Sequence, residues 1–171
     1  MQYMLRLMIA AVGAVALAHF AGQAAAQGQA KQIKLTDKHI ESFIAAQKDM
    51  MAIGDKMQGA EADKLDKMQA EFENVAKKHG FASGAEYEDV ANSIDVILLY
   101  VDPDTKKFTD PQVFLKKQLE DAKKNTALSE ADRKRAIEEI EEDMKNVEPV
   151  KFPENIALVE KHFDRLSESL R

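Results

Sequence analysis

The chain has 171 residues, 24 basic and 30 acidic side chains, a net charge of −6, no cysteine and no tryptophan. An acidic surface repels nucleic acid and anionic lipid, so neither is expected as the main partner. Without a thiol the chain has no disulfide, no thiolate metal site, no covalent haem attachment and no cysteine redox chemistry.

Chain order begins with MQYMLRLMIAAVGAVALAHFAGQAAAQ, in which Arg6 precedes an apolar run from Leu7 to about Ala21 and small residues close on Ala24-Ala25-Ala26. This layout predicts a cleavable secretory signal over residues 1–26, with Ala24 and Ala26 as the A-x-A pair. The run is shorter than the roughly 20 residues needed to span a bilayer and no second one follows. The expected location is therefore periplasmic or secreted, with no stable membrane insertion after cleavage. Arg6 is the only charge removed, so the mature chain of 145 residues keeps 23 basic against 30 acidic side chains. Residues 27–35 open it as a polar lead-in expected to be flexible, and residues 36–171 read as a single helical-bundle domain.

Thr36 is an N-cap candidate, with Leu35 and Ile40 at hydrophobic-staple positions. Ile40, Phe43, Ile44 and Met51 then recur at helical spacing, and Gly54 and Gly59 mark the region where this first helix is expected to end. Leu65, Met68, Phe72, Val75 and Ala76 define a second helix that finishes in Lys77-Lys78-His79, three groups suited to the negative end of a helix dipole. Gly80 and Phe81 fit a Schellman stop, and Ser83-Gly84-Ala85-Glu86 fits a capping box. The histidine, glycines and aromatics of KKHGFASGAEYEDV thus have stopping, turning and starting work, and the stretch reads as a joint.

A third helix carries Tyr87, Val90, Ala91, Ile94, Ile97, Leu98 and Val101 inward, up to the break at Asp102-Pro103-Asp104. Asp110-Pro111 starts a fourth, with Phe114, Leu115, Leu119 and Ala122 on one side. Ser129 starts a fifth, with Ile137, Ile140, Met144 and Val147. A sixth runs from about Glu154 to Leu170, striped by Ile156, Val159, Phe163 and Leu166. Each helix has one apolar and one charged face, so the expected fold class is all-α, an up-and-down bundle of five to six amphipathic helices.

Chemistry is sparse along this scaffold. None of His39, His79 and His162 has a glutamate three residues before it, the spacing that di-iron bundles use. The loop from Asp102 to Val113 places Asp102, Asp104 and Asp110 as a calcium loop would, but has Lys107 where glycine is needed and Val113 where the bidentate acid belongs. Glu138, Glu139, Glu141, Glu142 and Asp143 form an acidic run read as a solvated helix face. No G-x-S-x-G, phosphate-cradling glycine loop or H-E-x-x-H occurs.

His162 flanks the stripe of the last helix, while Met50 and Met51 lie toward the end of the first. In these residue types the chain resembles the soluble b-type cytochrome bundle family, and the resemblance implies a haem held by His162 and a helix-one methionine. Leu35-Thr36-Asp37-Lys38-His39 and Leu128-Ser129-Glu130-Ala131-Asp132 are similar to the L-T-x-x-Q helix starts of cradle-shaped exported chaperones. Glutamine is missing from both, so no functional residue carries over.

The leading expectation is an exported, non-enzymatic helical module that binds a protein or peptide partner in the cell envelope and holds no cofactor. Phe81, Phe108 and Phe152, which lie in connections, are the side chains singled out for the partner. The alternatives are a haem- or metal-binding bundle on His162 and a helix-one methionine, and an enzyme without a recognisable motif.

Overall fold

A computed structural model describes residues 30–57 and 62–171; the signal expected over residues 1–26 lies outside them. Six helices are described: α1 (Asp37–Met57), α2 (Ala62–Lys78), α3 (Gly84–Leu98), α4 (Pro111–Lys124), α5 (Glu130–Asn146) and α6 (Glu154–Ser169). Among the described residues there is no strand, and strand-like pairing is confined to an isolated bridge between Val101 and Phe108. None of these helices is long and apolar enough to cross a membrane. The fold is an all-helical bundle.

Local signals act where the sequence places them. The Thr36 hydroxyl accepts from the His39 amide at 3.2 Å, and α1 continues through Gly54 to Met57. Gly80 adopts φ 91°, and the Phe81 amide donates to the Ala76 carbonyl while the Gly80 amide donates to Lys77, the two bonds of a Schellman stop. The Ser83 hydroxyl caps α3 through the Glu86 amide; the Glu86 carboxylate reaches back to the amide of Ala82, one residue before the cap. The third helix stops at Leu98, short of the expected Val101. Val101 pairs instead with Phe108, and the Asp102 amide donates to the Lys107 carbonyl.

The main core is built by α1, α2, α3 and α6. Ile40, Phe43, Ile53, Val90, Ile94, Ile97, Val159 and Leu166 are buried together there. Tyr87 is the aromatic hub, stacked on Phe43 and met edge-on by Phe72 and Phe81. Ion pairs set helix direction. Lys56 with Glu71 and Lys78 with Asp49 fix α1 and α2 antiparallel. Lys161 with Asp37 and Arg165 with Glu41 rise in step, so α6 runs in the same sense as α1. Strict up-and-down alternation over six helices would oppose them; it does not hold because α6 enters the core at the end where α1 begins.

That shared end is tied by the segment expected to be loose. Ile33 and Leu35 exchange two hydrogen bonds with buried Asn155: Leu35 N–H donates to Oδ1 and Nδ2 donates to the Ile33 carbonyl, both at 2.8 Å. Gln32 bonds the Pro149 carbonyl and the Lys151 amide. The Lys31 amide donates to Asp89 and the Ile33 amide to Ser93. Leu35 is buried in the core with Ile33 packed against it, and distant side chains take up the backbone groups of the segment. Residues 31–35 are therefore part of the packed structure and not a flexible lead-in.

Helices α4 and α5 stand apart from this core. They pack on each other as a hairpin, with the Gln112 amide group donating to the Met144 carbonyl near its base. Leu115 is buried, yet no residue of α4 or α5 belongs to the main core or to the apolar side chains packed against it. An edge-to-face contact between Tyr100 and Phe114 joins arm to body. Four helices thus share the core, and two form an arm.

Candidate functional site

The structure does not assemble a haem site from the residues that suggested one. His162 is buried, but its Nε2 lies 2.8 Å from the Asp37 carboxylate and its Nδ1 3.9 Å from Glu41, at the start of α1. Met50 and Met51 are 13 and 14 residues further along that helix, about 20 Å away at 1.5 Å per residue. Met50 is packed into the core, and Met51 is 41% exposed on its surface. An iron held from both sides needs its two axial ligands a few ångströms apart, so these side chains serve the bundle separately.

His162 instead belongs to one of two similar clasps. Asp37 receives Lys161 at 2.6 Å and His162 at 2.8 Å. Twelve residues on, Asp49 receives Lys78 at 2.7 Å and His79 at 2.9 Å. Each aspartate on α1 is gripped by a Lys-His dipeptide of a neighbouring helix, α6 in one case and the end of α2 in the other. Lys161, then His162, hold the Asp37 carboxyl below its ordinary range, and Lys78, then His79, lower Asp49 to about 2. These are helix-to-helix ties.

The three phenylalanines divide. Phe81 is only 4% exposed, with its ring against Tyr87, so it is not available to a partner. Phe108 is half-buried against the core, and its amide donates to Glu160. Phe152 is half-buried in the turn before α6. The Asp102 carboxylate accepts from the Asp104 and Thr105 amides of its own loop, which Lys106 and Lys107 fasten to Asp164 and Glu160 of α6. Among the described residues, no group of three or more histidine, aspartate and glutamate side chains is set to hold a metal ion.

Two half-buried ionisable groups of α3 have strongly displaced pKa values. Burial pushes the Tyr87 hydroxyl up to about 12, and that hydroxyl accepts from Gln47. Burial pushes Asp95 up to about 6. Asp95 shares a face of α3 with Glu88, also raised by burial, and with Asn92, whose Nδ2 is enclosed without a partner. A carboxyl titrating near neutrality suits proton transfer only where it meets a substrate. The neighbouring groove of about 290 Å³ between α2 and α3 is lined by Gln69, Phe72, Glu73, Gly84 and Glu88, and not by Asp95. A second groove of about 390 Å³ lies between α1 and the C-terminal residues and is lined by Ile44, Met51, Asp55 and Arg171 among others. Ser169 also lines the second groove, with its hydroxyl donating to the Leu166 carbonyl.

The α4–α5 arm carries exposed apolar side chains, as does the body, where Met51 is 41% and Leu99 57% exposed. Its helices are capped by Asp110 and Ser129, whose side chains accept from first-turn amides. The apolar stripes are Leu115, Leu119 and Ala122 on α4 and Ile137, Ile140 and Met144 on α5, and the two helices pack on each other. All but Leu115 are half-buried, and α5 has no buried residue. Val113 on α4 is 58% exposed and Leu128, in the connection, 38%. Sequence reasoning passed over this surface because a helical stripe looks the same whether it faces its own core or a neighbour. The available signal was the composition of α5, in which 11 of 17 residues are charged.

A bundle with an outlying two-helix arm is the class this geometry defines. Comparison with protein-family models, with curated proteins and with solved structures finds no match to the chain.

Proposed function

We propose that this protein is an exported, non-enzymatic binding module of the cell envelope, and that the α4–α5 hairpin is its binding arm. The observation that supports the arm is its separation: its apolar side chains lie outside the core formed by α1, α2, α3 and α6. A two-helix unit covers only one side of each stripe, so a partner that covers the other gains the hydrophobic term that folding leaves unused. Export is supported by Arg6, the apolar run and the Ala24-Ala25-Ala26 ending. The non-enzymatic reading rests on the sequence, which carries no G-x-S-x-G, phosphate-cradling glycine loop or H-E-x-x-H.

A photoreactive amino acid placed at Leu119, on the half-buried stripe of α4, tests the arm in exporting cells, with Met51 on the core bundle as the control. Discrete protein adducts from position 119 and none from position 51 are expected. Equal labelling from both positions, or none from position 119, would overturn the assignment.

A further inference from the structure

We infer that the partner of the α4–α5 arm is a second copy of this chain, the two hairpins stacking into an intermolecular four-helix bundle. The inference rests on the reading of the hairpin as a binding arm and names its occupant. Charge carries the argument. Helix α4 holds Lys116, Lys117, Lys123 and Lys124 against Glu120 and Asp121. Helix α5 holds seven acids, Glu130, Asp132 and the run from Glu138 to Asp143 among them, against four bases.

When two such hairpins stack about a twofold axis with the helices alternating, each basic α4 borders its own acidic α5 and the acidic α5 of the other copy. The two acidic helices then sit on the diagonal, where they are furthest apart. The opposed stripes meet in the centre, as in four-helix bundles. An isologous contact of this kind uses one self-complementary patch twice.

Size bounds the strength. A helix of 17 residues is about 25 Å long and the hairpin about 20 Å wide, so each copy contributes on the order of 500 Å² and the pair about 1,000 Å². That is the lower limit for a specific interface and fits a reversible dimer.

Sedimentation velocity of the mature chain over about 1–500 μM tests the inference, together with two charge-reversed variants. In one, Lys116, Lys117, Lys123 and Lys124 are glutamate; in the other, Glu138, Glu139, Glu141 and Glu142 are lysine. All eight side chains are exposed, and circular dichroism checks that both variants keep their helices. The wild type is expected to shift from monomer to dimer across the range. Each variant alone is expected to weaken association at least tenfold, and an equimolar mixture to restore it as a heterodimer. The mixture is diagnostic because each hairpin keeps its own mismatch and only the contact between copies is repaired.

A wild type that is monomeric at 500 μM, or a mixture that associates no better than its components, overturns the inference. If that monomer still gives adducts with another protein from position 119, the binding-arm reading survives and its occupant is not a second copy. If position 119 gives no adduct of any kind, both fall.

Discussion

Replacing Asn155 with alanine is expected to loosen the end of the bundle where α1 and α6 begin. Asn155 is 2% exposed and makes two bonds to one short segment, accepting from the Leu35 amide and donating to the Ile33 carbonyl, both at 2.8 Å. Alanine can make neither. An enclosed Leu35 N–H left without a partner costs about 1–3 kcal/mol, and the less enclosed Ile33 carbonyl adds about 0.5–1.5 kcal/mol. The total, about 1.5–4.5 kcal/mol, corresponds to a fall in Tm of roughly 3–18 °C for a chain of this size. Urea unfolding followed by circular dichroism measures the loss. Limited trypsin digestion at Lys31 and Lys34 reports whether the segment has come free. Asn155→Asp keeps the acceptor, loses the donor and buries a charge, so it should be at least as damaging at neutral pH. A shift below about 0.5 kcal/mol with unchanged digestion would refute the claim that this side chain orders the segment.

Gly84→Ala should cost about 1–3 kcal/mol, because a β-carbon there would stand 2.6 Å from the Phe72 ring and 3.0 Å from the Glu73 carboxylate; an unchanged urea midpoint would show that the joint is slack. Asp95 has a folded-state pKa raised to about 6 against 3.8, so the folded state holds its proton longer and stability falls as pH rises between those values. Asp95→Asn should remove that slope and stabilise the protein at pH 7.5 by about 1–3 kcal/mol; a variant as pH-sensitive as the wild type would contradict the burial argument. Asp49 has the opposite sign: with its folded pKa lowered to about 2, its contribution is present above pH 3.8 and is lost as pH falls toward 2. Acid unfolding of Asp49→Asn should accordingly show a shallower dependence over that interval, and an unchanged profile would mean that the Lys78–His79 clasp is not formed in solution.

The parts of the fold legible in the sequence are those written locally. The joint at Gly80 is set by six consecutive residues, and the caps at Thr36, Ser83, Asp110 and Ser129 by the side chain next to its helix. Core positions such as Ile94 and Leu166 follow from a 3.6-residue period. Features that depend on distant residues could not be read this way. The order in residues 31–35 comes from Asn155, Ser93 and Asp89, about 60 to 120 residues away. The common sense of α1 and α6 follows from where the chain re-enters the core. Phe81 stands in a connection and so looked free, but the Schellman turn carries its ring back onto Tyr87. The arm was hidden for a related reason: Leu119 and Ile140 have the periodicity of core residues, and periodicity records a face without naming what meets it.

Hydrogen exchange across the mature chain, at low and at high protein concentration, tests most directly that α4 and α5 form an arm outside the core. In dilute solution the amides of residues 111–146 are expected to exchange well ahead of those in α1, α3 and α6, and to become protected as concentration rises. Equal protection of all six helices at every concentration would contradict the division into core and arm, and the function proposed from it.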